Sequence, residues 1–276
     1  MNESQLCFIG AGNMARSLIG GLLADGFPAA RIRASDPDAG QREAVARRFG
    51  VQVFADNAEA LAGAHVLILA VKPQGLAALA RELAPQLDAA NPLLISVAAG
   101  IRASDLDRWL GGNRPLVRCM PNTPALVQSG ATALYATAAV NDAQRNLAES
   151  ILRAVGLTLW VEDEAQMDAV TALSGSGPAY FFLMIEAMQQ AGTDLGLAAD
   201  TARLLALQTA FGAAKMALES EDPPGRLRER VTSPGGTTER ALAALEDGGF
   251  RALIARAMQA AQARSRELAE QLGADA

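Results

Sequence analysis

Residues Val231 to Arg240 read VTSPGGTTER, in which a proline and two glycines precede two threonines and a helix-forming run, Glu239 to Leu245. A glycine pair ahead of a helix frees the backbone to turn and leaves the first helical N–H groups unpaired. Those amides, together with the positive end of the helix dipole, make a site for a carboxylate or a phosphate. Gly235 and Gly236 would supply the turn, and Thr237 and Thr238 would add hydroxyl donors at the same spot. The alternative is a plain Pro-Gly-Gly turn closed by a threonine cap.

A second chemistry-bearing segment opens the chain. Gly10-Ala11-Gly12-Asn13-Met14-Ala15 follows the apolar run Leu6 to Ile9 and leads into an amphipathic helix reaching about Ala24. In G-x-G-x-x-A between a strand and a helix, Gly10 makes the tight turn and Gly12 lets a pyrophosphate approach the backbone. Ala15 lets the helix pack closely on the strand. The next strand, Arg31 to Ser35, ends in Ser35-Asp36-Pro37-Asp38, where a Rossmann domain reads the adenosine ribose. Asp36 has two readings. It faces the ribose and favours NADH over NADPH, or it caps the helix predicted from Asp38 to Gly50.

These segments need a scaffold, and the alternation of apolar runs supplies one. Strands are expected at Gln52 to Phe54, His65 to Val71, Leu93 to Ala98, Leu116 to Met120, Ala131 to Tyr135 and Leu157 to Val161. Helices are expected at Asn57 to Leu61, Gln74 to Leu87 and Asp142 to Val155. Strands separated by helices mean an α/β domain with a doubly wound, mostly parallel sheet. His65 to Val71 is nearly continuous in apolar residues, as a strand covered on both faces must be. It ends in Lys72-Pro73 at the carboxyl edge, where ligands collect in such sheets. Lys72 is one of two lysines; it serves the site or is a solvated strand end.

From about Asp163 the spacing becomes helical. A kink is expected at Ser174 to Pro178, followed by helices from Ala179 to Ala191, Thr201 to Ser220 and Gly249 to Leu272. A helix as apolar all round as Ala179 to Ala191 must be buried, so a dimer formed through this half is expected. The division is residues 1–163, a dinucleotide-binding Rossmann domain, and residues 164–276, an all-α domain for dimerisation and substrate binding. The stretch Glu221 to Gly225 reads as a polar turn, with Glu221 close enough in sequence to face the Gly-Gly-Thr-Thr segment.

At 276 residues, half of them hydrophobic, the chain is long enough for two domains. A net charge of -6 argues against nucleic acid as a partner. The N-terminus lacks the pattern of a signal peptide, and no apolar run approaches the roughly 20 residues of a membrane span. A cytoplasmic location is therefore expected, with Cys7 and Cys119 as buried free thiols. His65 is the single histidine, which disfavours a zinc site or a histidine triad and points the chemistry to an organic cofactor.

FIGAGNMA at 8–15, LAVKP at 69–73, VAAG at 97–100, MPNTP at 120–124, LSGSGPAY at 173–180 and VTSPGGTTERALAALE at 231–246 resemble, in that order, pyrroline-5-carboxylate reductase. The resemblance spans essentially the whole chain, and its last block is the most specific. It implies hydride transfer from NADPH or NADH to 1-pyrroline-5-carboxylate, giving L-proline. It also implies an interlocked helical homodimer, assembled in some members into a ring of dimers (a decamer). By resemblance Thr238 is the catalytic-site donor at the ring nitrogen or carboxylate. Glu221, Gly235, Gly236 and Thr237 join it around the substrate. Gly10, Ala11, Gly12, Asn13 and Met14 meet the pyrophosphate and nicotinamide. Ser35, Asp36, Pro37 and Asn57 meet the adenosine end. Ala70, Val71, Lys72, Pro73, Ala98 and Ala99 line the cleft, with Pro121 and Asn122 near the nicotinamide.

Two positions depart from the family pattern. Asp36 stands where a neutral or basic residue would favour NADPH. Arg230 stands where members often carry asparagine, and it is either a counter-charge for a 2′-phosphate or a solvated side chain. A β-hydroxyacid dehydrogenase is the rival enzyme, but it needs a helix-borne lysine near Ser174 to Tyr180, and none is there. A nicotinamide-binding sensor without a carboxylate site is the non-enzyme rival.

Overall fold

The computed structural model describes residues 3–87 and 91–274. Among the described residues eight short strands form one sheet: β1 Leu6–Ile9, β2 Ile32–Ser35, β3 Gln52–Phe54, β4 Val66–Leu69, β5 Leu93–Ser96, β6 Leu116–Met120, β7 Gly130–Ala136 and β8 Gly156–Trp160. Their order is β3-β2-β1-β4-β5-β6-β7-β8. Side chains alternate across each strand, and β1 shows the result. Leu6 and Phe8 enter one buried core while Cys7 and Ile9 enter the other. A sheet buried on both faces is what the near-continuous apolar strands required.

The expectation of a mostly parallel sheet holds with one departure. β6 and β7 pair antiparallel, Arg118 opposite Tyr135. The reason is the connection, only a 3₁₀ turn at Thr123–Val127, because a parallel crossover needs a dozen or more residues. β4 and β5 are also shorter than expected, since Ala70, Val71 and Val97 lie beyond the last paired residues.

The crossover helices are α1 Asn13–Ala24, α2 Ala39–Phe49, α3 Asn57–Leu61, α4 Leu76–Leu87, α5 Ala103–Trp109 and α6 Asp142–Arg153. Then come α7 Gln166–Val170, a π-helical turn at Thr171–Gly175, α8 Gly177–Asp194, α9 Ala199–Glu219, α10 Pro224–Arg230, α11 Thr237–Asp247 and α12 Phe250–Gly273. The expected polar turn at Glu221 to Gly225 gives way to α10 at Pro224. Proline suits a first helical position because that N–H has no intrahelical partner anyway. Sequence spacing also missed α5, which is too short to repeat its apolar period.

Two compact units result. The first comprises residues 1–176 with 261–276, and the second residues 177–260. Within the first, the end of α12 is held by specific contacts. Arg108 Nη2 donates to the Gly273 carbonyl at 3.0 Å, Ser265 Oγ donates to Asp168 Oδ1 at 2.7 Å, and Leu272 packs on the Cys7-side core. Arg118, 6% exposed, forms an ion pair with Glu164 at 2.7 Å. The same Glu164 oxygen accepts from the Ala103 N–H at 2.6 Å.

Within the second unit α8 packs on α9, with Gly192 allowing close approach: a Cβ there would lie 3.3 Å from that of Ala202. The apolar helix expected at Ala179 to Ala191 is α8, and in the single chain it is not buried. Phe181, Phe182 and Leu183 stay about two-thirds exposed, and Phe211 on α9 is 62% exposed.

Candidate active site

The glycine segment expected to bind the dinucleotide lies in the first unit, where β1 turns into α1. Gly10 has φ +99°, a left-handed conformation, and a Cβ there would fall 2.6 Å from the Ala70 carbonyl oxygen. Only glycine fits on both counts. A Cβ on Gly12 would meet nothing within 4 Å, so the surface above it is open. Gly12 is the N-cap of α1, no side chain caps the helix, and its first turn carries no acidic residue. The amides of Asn13 and Met14 thus face outward with the positive end of the helix dipole behind them. This arrangement fits a pyrophosphate.

At the end of β2 the structure separates the two readings of Asp36. Asp38, not Asp36, caps α2, accepting from the Gln41 N–H at 3.1 Å. Asp36 instead turns back to the glycine loop, where Oδ2 accepts from the Ala11 N–H at 2.9 Å and Oδ1 from the Asp38 N–H at 2.9 Å. Pro37 is exposed, and its carbonyl and that of Asp36 both accept from Arg42 Nη1, at 2.9 and 2.7 Å. The buried Ser35 hydroxyl donates to Asn57 Oδ1 at 2.7 Å. Ser35, Asp36, Pro37 and Asn57 are therefore gathered at one corner of the sheet edge.

Ala70 and Val71 follow β4 and are half-buried; Lys72 is exposed and starts the 3₁₀ turn Pro73–Gly75. Among the described residues no ion pair engages Lys72, and both of its readings stand. Beside this turn lies a cavity of about 270 Å³ lined by Pro73 and Gln74, Ala99 and Gly100, and Thr171 and Ser176, with α12 completing it. Ala98 is buried beneath and Ala99 exposed at the rim.

Pro121 is buried, and Asn122 does something sequence reading did not foresee. Its Oδ1 accepts from the Ala131 N–H at 2.9 Å, while its Nδ2 donates to the Ser174 hydroxyl at 3.2 Å and carbonyl at 3.3 Å. The π-helical turn is thereby pinned to the sheet edge. Such turns are frequent at functional sites. Ser174, Ser176 and Thr171 were missed as residues of this edge. The Ser-Gly-Ser-Gly spacing signalled a kink but not which wall it joins.

The segment expected to bind a carboxylate, Gly235 to Thr238, lies in the second unit. Gly236, not a threonine, is the N-cap of α11, and no side chain caps the helix. The threonine-cap alternative is thus overturned, since Thr237 and Thr238 are the first two helical residues. Gly235 has φ +72°, and its N–H donates to Glu239 Oε2 at 2.8 Å. The Gly236 N–H donates to the Ser233 carbonyl at 3.0 Å. With these two amides engaged, the unpaired backbone donors at the helix start are those of Thr237, Thr238 and Glu239, all exposed. Glu221 is exposed in the turn ahead of α10. Arg230 makes an ion pair with Asp222, so its charge has a partner within its own unit.

Burial pushes the Cys7 thiol up to about 12 and that of Cys119 higher still, against the lowering effect of Arg33 and Arg118 respectively. Neither thiol is a nucleophile at neutral pH.

Comparison with known proteins carries the same two halves. A family profile described as pyrroline-5-carboxylate reductase dimerisation matches residues 164–268. One described as NADP oxidoreductase, coenzyme F420-dependent, matches residues 5–100. The pyrroline-5-carboxylate reductase of Pseudomonas aeruginosa is 58% identical over 99% of this chain and 100% of its own.

The chain belongs to the pyrroline-5-carboxylate reductase family.

The plant enzyme of that name from Pisum sativum is 42% identical over 95% of each chain. Among solved structures, a pyrroline-5-carboxylate reductase from Coxiella burnetii superposes with a TM-score of 0.93 at 46% identity, covering 97% of this chain and 99% of that one. A pyrroline carboxylate reductase from Plasmodium falciparum with NADP bound superposes with a TM-score of 0.86 at 28% identity, over 98% and 99%. The family places this chain among NAD(P)H-dependent oxidoreductases that act on a C=N bond, and it removes the hydroxyacid-dehydrogenase and sensor alternatives.

Proposed function

We propose that this chain reduces 1-pyrroline-5-carboxylate to L-proline, the last step of proline synthesis. The observation that carries the reading is the glycine turn opening onto an uncapped α1, in a chain 58% identical to a pyrroline-5-carboxylate reductase along its whole length. NADPH or NADH, when bound, supplies the hydride that adds to the ring carbon of the C=N bond.

The protein's own work is binding and aim. Gly12, Asn13 and Met14 offer backbone amides to the pyrophosphate, and Gly10 and Ala11, whose own amides are engaged by Ser35 and Asp36, shape the turn beneath it. Ser35, Pro37 and Asn57 receive the adenosine end, with Asp36 bracing the loop between them. Ala70, Val71, Lys72, Pro73, Ala98, Ala99, Pro121 and Asn122 shape the edge that receives the nicotinamide. The start of α11 takes the substrate carboxylate on the amides and hydroxyls of Thr237 and Thr238, with Gly235 and Gly236 setting the turn. Thr238 also serves the ring nitrogen, and Glu221 faces it. A protonated imine is electrophilic already, so orientation and exclusion of water supply the catalysis rather than a strong acid.

The exposed apolar face of α8 and α9 supports a homodimer formed through residues 164–276, with residues 1–163 as the dinucleotide domain. A ring of dimers is the further assembly we propose. No helix among the described residues is long and apolar enough to cross a membrane. We place the enzyme in the cytoplasm, with no nucleic-acid partner. The test is proline formation from pyrroline-5-carboxylate, run separately with NADH and NADPH. No proline with either cofactor overturns the assignment.

A further inference from the structure

A second cavity, of about 390 Å³, lies in the first unit. Its walls include Arg16 and Gly20 of α1, Arg48 and Phe49 at the end of α2, and Leu126 and Val127 of the turn after β6. Two of these side chains are cations, and neither has an acidic partner among the described residues. Both guanidinium charges are therefore left for a ligand that enters the cavity.

Arg16 is positioned but incompletely satisfied. One of its terminal nitrogens donates to Gln41 Oε1, while its Nε is enclosed and has no hydrogen-bond partner. An enclosed donor left unpaired costs free energy unless a ligand or water meets it. Arg48 is held over the Phe49 ring, 5.1 Å from its centroid, so its guanidinium is placed without an ion pair. Ser17 and Gln128 add polar groups to the lining, and Leu126 and Val127, 60% and 72% exposed, add an apolar side. Gly20 keeps the floor clear, since a Cβ there would press on the Phe49 ring at 3.2 Å.

We propose that this cavity binds a small organic anion, a carboxylate or phosphate monoester carrying a flat apolar group. The guanidiniums take the anionic head through charge-assisted hydrogen bonds, and Phe49, Leu126 and Val127 take the apolar body. The volume falls within the range of about 300–1,000 Å³ usual for small-molecule sites.

The test is calorimetric titration of the full chain with phenyl phosphate and, separately, benzoate. Saturating NADP⁺ is present throughout, so that the dinucleotide site is filled. Benzyl alcohol is the neutral control. The expected result is saturable binding of at least one anion and none of the alcohol. Affinity should fall about tenfold or more in Arg48→Ala and in Arg16→Gln, and stay unchanged in Arg47→Ala, on the same helix but outside the cavity. Tighter binding of phenyl phosphate identifies a phosphate ligand, and tighter binding of benzoate a carboxylate. Arg48 is exposed, so its alanine variant folds and decides the matter should Arg16→Gln not. No saturable binding at millimolar concentration, or equal affinity in wild type and Arg48→Ala, overturns the proposal.

Discussion

Asp36 Oδ2 accepts from the Ala11 N–H at 2.9 Å, which ties the end of β2 to the glycine turn that follows β1. Its other oxygen accepts from the Asp38 N–H. The carboxylate is thus a brace for the glycine loop between β1 and α1, where we propose the cofactor binds. In Asp36→Ala the KM for NADH and for NADPH should both rise, by about tenfold, as one charge-assisted bond to the loop is lost. Steady-state kinetics with each cofactor checks this. A swing to NADPH with the NADH constant unchanged would show that the carboxylate reads the ribose instead.

Thr238→Ala removes a hydroxyl from the uncapped start of α11 while leaving its amides in place. We expect kcat/KM for pyrroline-5-carboxylate to fall roughly ten- to a hundredfold, the worth of about 1.5–3 kcal/mol. Cofactor affinity should stay nearly unchanged. Full activity in the variant would remove Thr238 from the mechanism.

Asn122 joins Ala131 on β7 to Ser174 in the π-helical turn. Truncation to alanine leaves the Ala131 N–H and the Ser174 hydroxyl without those partners, so stability should fall by about 1–3 kcal/mol. The KM for cofactor should rise as well, because the pinned turn lines the edge beside Ala99. Thermal denaturation and initial-rate kinetics on one preparation separate the two effects. Unchanged values in both would mean the three hydrogen bonds contribute nothing.

The second unit leaves Phe181, Phe182, Leu183 and Phe211 facing outward. Burying such a side chain fully stabilises by about 1.5–3 kcal/mol, and a large exposed apolar patch marks an interface. Light scattering after size exclusion should return a dimer or a multiple of it. Phe181→Asp should dissociate the assembly and lower its Tm. A folded wild-type monomer at micromolar concentration contradicts the dimer.

Cys7 has a folded-state value near 12, raised by burial, and an ordinary unfolded value of about 8.5. A thiol raised in this way contributes stability that is complete below the unfolded value and is lost as pH rises towards the folded one. The Tm should therefore decline above about pH 8.5, and the decline should be shallower in Cys7→Ala. Parallel slopes for the two proteins would contradict the burial argument. Thiol reagents at neutral pH should modify neither cysteine until the chain unfolds.

Much of the scaffold was legible in the sequence, because apolar runs with turn residues between them have few ways to fold. β1, β3, β6 and α3 end where their patterns end. What spacing did not reveal lies where local and distant forces compete. The antiparallel β7 follows from a connection too short for a crossover, and reading each strand by itself hides that. At the candidate site, the glycines of both loops announced themselves by type. The partners of Asp36 and Asn122 did not, since a carboxylate or amide at a strand end has several equally good uses until the fold brings one amide within reach. The start of α11 shows the same: two threonines suggested a cap, but Gly236 takes that position.

The segment beyond Ala261 completes the first unit through Leu272, Ser265 and the grip of Arg108 on Gly273. The sheet-bearing half therefore stays unfinished on the ribosome until the helical half has been synthesised.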